Sequence, residues 1–67
     1  MNAVEEAILD AMAGGKGLST QEIAAKIKRS TRATRTRLLA LVARGLVAEV
    51  GTSPQDPTRK YFLVNRG

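Results

Sequence analysis

Residues 29–45, RSTRATRTRLLALVARG, predict a helix with a basic, hydroxyl-rich first half and an apolar second half. Ser30 is suited to cap the start, because a serine hydroxyl accepts hydrogen bonds from the free backbone N–H groups of the first turn. Gly45 is suited to end it, because glycine enters the left-handed backbone region without a Cβ penalty. The predicted helix therefore covers residues 30–44.

This helix is predicted to bury one face and to present a basic surface elsewhere. Arg32, Arg35 and Arg37 lie off the apolar stripe and are expected to face solvent or a partner. Guanidinium groups and hydroxyls near a helix N-terminus are suited to contact phosphates and base edges. The stripe follows the spacing i, i+4, i+7, i+11 of one buried helix face and consists of Thr34, Leu38, Leu41 and Gly45.

The net charge of +5 is unevenly distributed along the chain. Residues 1–25 carry one lysine against four carboxylates, a net charge of −3, whereas residues 26–67 carry ten lysines and arginines against two carboxylates, a net charge of +8. A one-sided basic surface is typical of proteins that bind nucleic acid. The asymmetry favours that function over a basic surface that only keeps the protein in solution.

The length and composition exclude most catalytic functions. The 67 residues predict one small domain, residues 1–67, without space for a large pocket. Cysteine and histidine are absent, which removes disulfides, thiolate zinc sites and the commonest general base. Glu5, Glu6 and Asp10 are expected on an exposed helix face without a nucleophile or metal partner. We therefore predict no enzyme, no cofactor and no small-molecule ligand.

The chain has no run of about eighteen apolar residues and no signal-peptide pattern, so we expect no membrane span. A cytoplasmic, nucleoid-associated location is the corresponding expectation.

Two shorter helices are predicted before the basic one. Asn2 with Glu5, and Ser19 with Glu22, have the spacing of capping boxes, which predicts helices over residues 2–13 and 19–28. A glycine-rich segment between them ends the first helix. The second helix and the basic third one, joined by a tight turn, have the helix-turn-helix pattern. The apolar faces of the two shorter helices are Val4, Ala7, Ile8, Ala11 and Met12, and Ile23, Ala24 and Ile27.

After Gly45 the pattern changes from helical to strand-like. LVAEV at 46–50 and KYFLV at 60–64 are rich in β-branched, aromatic and apolar residues and predict two strands. The nine residues between them, GTSPQDPTR, are rich in turn formers. We therefore predict a β-hairpin over residues 46–64 with a loop that is longer than usual, and long loops in compact domains are more often functional.

The order of three helices and a hairpin resembles the winged helix-turn-helix family. The resemblance covers about residues 4–64, and it depends on STQEIAA at 19–25, STRATRTRLLALVARGLV at 30–47 and RKYFLV at 59–64. It implies a mainly α fold with a small β-hairpin, the wing. It implies function less specifically, because this fold serves transcription regulators, helicase appendages and protein adaptors alike.

In DNA-binding members of this family, helix 3 lies in the major groove and the wing loop contacts the backbone or the minor groove. The resemblance therefore implies double-stranded DNA as the partner. Arg37 lies further round helix 3 and is a phosphate-contacting candidate. The other candidates are Ser30, Thr31, Arg32, Arg35 and Thr36 on helix 3, and Thr52, Ser53, Arg59 and Lys60 in the wing.

Four positions depart from the family pattern or allow two interpretations. Thr34 fills a slot where the family usually has an aliphatic residue; its methyl can pack and its hydroxyl can bond back to the helix. Proteins of this fold that bind left-handed nucleic acid use an asparagine and a tyrosine in helix 3, where this chain has Arg35 and Leu39, and a wing tryptophan, which is absent. Leu39 and Phe62 either cover the edge of the core or form an apolar patch for a second copy or a host domain.

The preferred hypothesis is a winged helix that binds double-stranded DNA, either as a small transcription regulator or as one domain of a larger protein. The alternative is an interaction module that uses the same fold to bind protein without reading DNA. The predicted core contains Ile8, Ile23, Ile27, Leu38, Leu41, Leu46 and Leu63.

Overall fold

The computed structural model describes residues 2–51 and 59–64. They form three helices and a two-stranded antiparallel sheet, in the predicted order. The helices are shorter than predicted, because the capping residues lie outside them and α1 also ends before Ala13. None of the helices described is long and apolar enough to cross a membrane. The elements are α1 (Ala3–Ala11), α2 (Thr20–Ile27), α3 (Thr31–Ala43), β1 (Val47–Val50) and β2 (Lys60–Leu63).

Both predicted capping boxes are present at the starts of α1 and α2. The Asn2 side chain accepts from the Glu5 backbone N–H at 2.8 Å, and the Glu5 carboxylate accepts from the Asn2 N–H at 3.0 Å. Ser19 and Glu22 form the same pair of bonds at 3.1 and 2.8 Å. These local bonds satisfy backbone donors that the first helical turn leaves free.

The ends of α2 and α3 differ in the residue that adopts the left-handed backbone conformation. Gly45, with φ of 78°, ends α3, and the Leu46 N–H then donates to the Leu41 carbonyl at 3.0 Å. Gly45 is exposed, so its predicted place in the buried stripe was wrong; the chain has already turned away from the helix there. Lys28 ends α2 with φ of 60°, a conformation that costs free energy for any residue with a Cβ.

One apolar core lies between the three helices and the hairpin. Four of the seven predicted core residues are fully buried, whereas Ile27, Leu46 and Leu63 are half-buried and pack against the core from its edge. Val47 and Tyr61, which face inward from the two strands, complete it instead. The buried cluster consists of Ile8, Met12, Leu18, Ile23, Leu38, Leu41, Val47 and Tyr61.

The hairpin is attached to the segment before α2 by backbone pairing. Leu18 donates to the Tyr61 carbonyl at 3.1 Å, and Tyr61 donates to the Leu18 carbonyl at 2.8 Å. Beside this bridge the Phe62 ring packs directly over Gly17, where no Cβ would fit. Phe62 therefore packs on the loop before α2, and it is not among the half-buried residues that pack against the core.

Glu5 corrects one prediction for α1. It was expected on the exposed face with Glu6 and Asp10, but only 5% of Glu5 is accessible to solvent. Its carboxylate turns back to the helix start and faces the Arg44 guanidinium at 4.0 Å. Glu5 therefore belongs to the structure of the fold, whereas Glu6 and Asp10 are exposed as predicted.

Candidate nucleic-acid interface

The orientation of α3 is fixed by the residues that it buries. Thr34, Leu38 and Leu41 are fully buried, and the Thr34 hydroxyl donates to the Ser30 carbonyl at 2.8 Å, as predicted. Because an α-helix repeats every 3.6 residues, the opposite side of α3 must face outward. We define the outer face of α3 as its exposed residues Arg32, Ala33, Arg35, Thr36, Leu39 and Ala43.

The Ser30 and Thr36 hydroxyl groups form hydrogen bonds to the backbone of α3 itself. The Ser30 hydroxyl accepts from the Ala33 N–H at 3.1 Å and so caps the helix, as predicted. The Thr36 hydroxyl donates to the Arg32 carbonyl at 3.1 Å, and Thr31 is half-buried. The arginines are therefore the principal donors that this surface offers to a partner.

Arg32 and Arg35 are exposed, whereas Arg37 is half-buried further round the helix. Within residues 2–51 and 59–64, none of the three forms an ion pair with a carboxylate. The positive end of the α3 dipole lies near these arginines and adds to their charge. The first turn of α3 contains no acidic residue that would offset it. Together they form a surface suited to an anionic partner.

The basic residues at the base of the hairpin are in a different environment. Arg59 contacts Glu49 on the paired strand at 3.0 Å, and Lys60 contacts Glu22 at the start of α2 at 3.1 Å. Only 16% of the Arg59 side chain is accessible, so it lies against the hairpin. Hydrogen bonding with the Tyr61 side chain, and then the Glu49 charge, raise the pKa of Arg59.

The Glu22 carboxylate both caps α2 and pairs with Lys60. Its carboxylate accepts from the Ser19 backbone N–H at 2.8 Å and from the Lys60 ammonium at 3.1 Å. The backbone hydrogen bond and the nearby ammonium lower the pKa of Glu22 to about 2. Lys60 is thus connected to the capping box of α2.

The predicted site residues in the described part of the chain therefore form two groups, one on helix 3 and one at the hairpin base. Those of helix 3 lie at its cap and in its first two turns, and those of the hairpin base are ion-paired. Sequence reasoning missed both hairpin pairs, because the partners are 10 and 38 residues apart and no local pattern relates them. Thr52 and Ser53 lie outside the described residues.

Comparison with solved structures supports the fold. The chain is similar to the PcaV transcriptional regulator from Streptomyces coelicolor, which was crystallised in complex with its natural ligand. The TM-score is 0.81 at 23% sequence identity, over 97% of this chain and 46% of PcaV. The chain thus spans about half the length of PcaV and has its winged-helix fold. Neither a protein-family model nor a curated protein matches the chain.

Proposed function

We propose that the chain binds double-stranded DNA with α3 in the major groove, as a small transcription regulator or as the DNA-binding domain of a larger protein. One observation carries the proposal: Arg32 and Arg35 are exposed on the outer face of α3, and neither is ion-paired with any described residue. The likeness to the fold of a transcription regulator supports it. A cytoplasmic, nucleoid-associated location accompanies this proposal.

The outer face of α3 has the dimensions for reading base edges. The major groove admits an α-helix, and a guanidinium fork can bond both guanine acceptors there. Arg32 and Arg35 are separated by about 4.5 Å along the helix axis, given a rise of about 1.5 Å per residue. That separation is close to the distance between stacked base pairs, so the two side chains reach neighbouring bases.

We assign the remaining basic residues to the phosphate backbone. Arg37 lies beside the outer face, and Arg59 and Lys60 lie at the hairpin base. To contact phosphates, Arg59 and Lys60 exchange the carboxylates of Glu49 and Glu22 for phosphate oxygens. Exposed ion pairs contribute little to stability, so the exchange for Lys60 costs little free energy. Such contacts position the protein without reading sequence.

The test is a fluorescence anisotropy titration with random-sequence duplex DNA at several salt concentrations. If about four to six phosphates are neutralised, log K should fall with log salt with a slope of about −4 to −5. An affinity that does not change between low and physiological salt would show that the basic surface is not the binding surface.

The second candidate function is a protein-interaction module. Exposed apolar side chains favour it, since Leu39 and Val50 are 50% and 59% accessible. Such a module would bind its partner mainly through apolar contacts. It should therefore bind random duplex DNA weakly or not at all, and the same titration separates the two functions.

A further inference from the structure

Leu39 is the large hydrophobic residue that α3 leaves exposed, with 50% of its surface accessible. It follows Thr36 by three residues, Arg35 by four and Arg32 by seven. At these spacings the side chains share one side of a helix. Leu39 therefore lies on the outer face of α3, in line with the arginines that we assign to DNA.

The core does not account for Leu39. Leu38 and Leu41 supply the contacts of α3 to the core, and Leu39 is neither in the buried cluster nor among the half-buried residues that pack against it. Of the two interpretations given for Leu39, the exposed patch therefore fits the structure and cover of the core edge does not. An exposed leucine among arginines instead indicates a partner that is anionic and also offers a small apolar group.

Duplex DNA has this combination in its major groove. Its backbone is anionic, and the C5-methyl of thymine is the apolar group among the base edges there. A second copy of the chain is a poorer partner. The outer face of α3 has no carboxylate, so a two-fold contact across Leu39 would cover Arg32 and Arg35 of both copies without an ion-pair partner on the facing outer face.

We propose that Leu39 contacts the C5-methyl group of a thymine, and that this contact contributes to sequence preference. The inference rests on the proposed function, since it requires α3 in the major groove. Leu39 lies about 6 Å beyond Arg35 along the axis, at about 1.5 Å per residue. The thymine is therefore expected about two base pairs from the base that Arg35 contacts.

The test removes the methyl group and the side chain separately. A random duplex library is enriched for binding to the wild-type protein, and the best-bound duplex is resynthesised with deoxyuridine in place of each thymine in turn. Uracil keeps the base pairing but lacks the methyl group. At one thymine the wild type should lose about fourfold in affinity, the factor for one buried methyl-sized group. Leu39→Ala should bind the thymine and uracil duplexes equally.

The matched control is Val50→Ala, which shortens another exposed apolar residue, at the end of β1. It should keep the thymine–uracil difference. Leu39→Ala should fold normally, because the side chain is exposed and alanine favours helix; circular dichroism checks this.

The inference is overturned if Leu39→Ala still discriminates thymine from uracil at that position, or if the wild type is indifferent at every thymine. It is also overturned if Leu39→Ala leaves DNA binding unchanged and instead abolishes self-association in sedimentation. In each of these cases the proposed function stands as long as the wild type binds duplex DNA with a steep salt dependence. Loss of that binding would reject the proposed function, and the inference with it.

Discussion

The outer face of α3 and the base of the hairpin are both basic, but their charges are held differently. Arg32 and Arg35 are exposed and form no ion pair with a described carboxylate. Arg59 and Lys60 each contact a carboxylate, at 3.0 and 3.1 Å. One surface therefore offers its charge directly, while the other must first exchange a partner.

The difference in ion pairing distinguishes a surface suited to base contacts from one suited to phosphate contacts. The net charge of the two surfaces does not distinguish them. A helix packed on the core holds its side chains in defined positions, which bidentate contacts to bases require. Ion-paired residues that can exchange their carboxylate for a phosphate are suited to contacts without sequence information. We therefore expect α3 to determine sequence preference and the hairpin base to contribute affinity for any sequence.

The largest effect is expected from Arg35→Ala. Loss of a bidentate contact to guanine should weaken binding to the preferred site by about 1–3 kcal/mol and reduce the preference over unrelated duplexes. The measurement is anisotropy titration against the preferred site and two unrelated duplexes. Arg37→Ala is the control on the same helix, and it should weaken all three duplexes similarly. Equal loss on all duplexes for Arg35→Ala would contradict the assignment to bases.

A smaller effect, on stability, is expected at Lys28, a basic residue that precedes α3. Its backbone is left-handed, so Lys28→Gly should raise the free energy of unfolding by about 1 kcal/mol. Lys28→Ala removes the same charge but keeps the strained conformation, and it should not stabilise. Urea unfolding measures both variants. If the two variants bind DNA with equal affinity, the stability of the turn at Lys28 does not affect DNA binding. A lower free energy of unfolding for Lys28→Gly than for the wild type would contradict backbone strain at this residue.

Lys60→Ala should have a weaker effect on DNA binding than Arg35→Ala. Losing one phosphate contact should weaken all duplexes about equally and make the salt slope shallower by about one unit. The measurement is the same titration at several salt concentrations. An unchanged slope would indicate that Lys60 stays with Glu22 when DNA binds.

The smallest effect on affinity is expected from Glu22→Gln, which should release Lys60. Glutamine can still accept from the Ser19 N–H, so the capping box is retained. Binding should become slightly tighter on every duplex. The control is Glu6→Gln, which changes the net charge equally but removes an exposed carboxylate of α1. Equal gains from both variants would attribute the effect to net charge alone.

Glu22→Gln should also change how the stability of the fold depends on pH. The pKa of Glu22 is lowered from 4.5 to about 2, so its charged form stabilises the folded state. That stabilisation is complete above about pH 4.5 and is lost as the pH falls toward 2. The Tm difference between wild type and Glu22→Gln should therefore shrink over this range. A constant difference would contradict the lowered pKa.

The features predicted correctly from sequence are local ones. The capping boxes of Asn2 and Ser19 depend on residues three positions away, and their hydrogen bonds are present. The buried side of α3 follows from helical periodicity at Thr34 and Leu38, and Gly45 ends the helix as predicted. Such signals lie within one or two turns of chain and can be read directly.

The features that were missed depend on contacts between distant parts of the chain. Glu5 is buried, and Arg44, just after α3, faces its carboxylate at 4.0 Å. Lys60 is paired because folding brings β2 beside Glu22. The candidate site was therefore predicted by residue type and helix position, whereas the availability of each charge required the folded structure.

One measurement tests the division between the two basic surfaces most directly. The double variants Arg32→Ala/Arg35→Ala and Arg59→Ala/Lys60→Ala each remove two positive charges. Each is titrated with the preferred duplex and a random duplex at several salt concentrations.

We predict that the α3 variant loses the preference for its site. The hairpin variant should keep the preference while its salt slope becomes shallower by about two units. If the two variants instead lose affinity and preference equally, the outer face of α3 is not a reading surface, and the central claim is wrong.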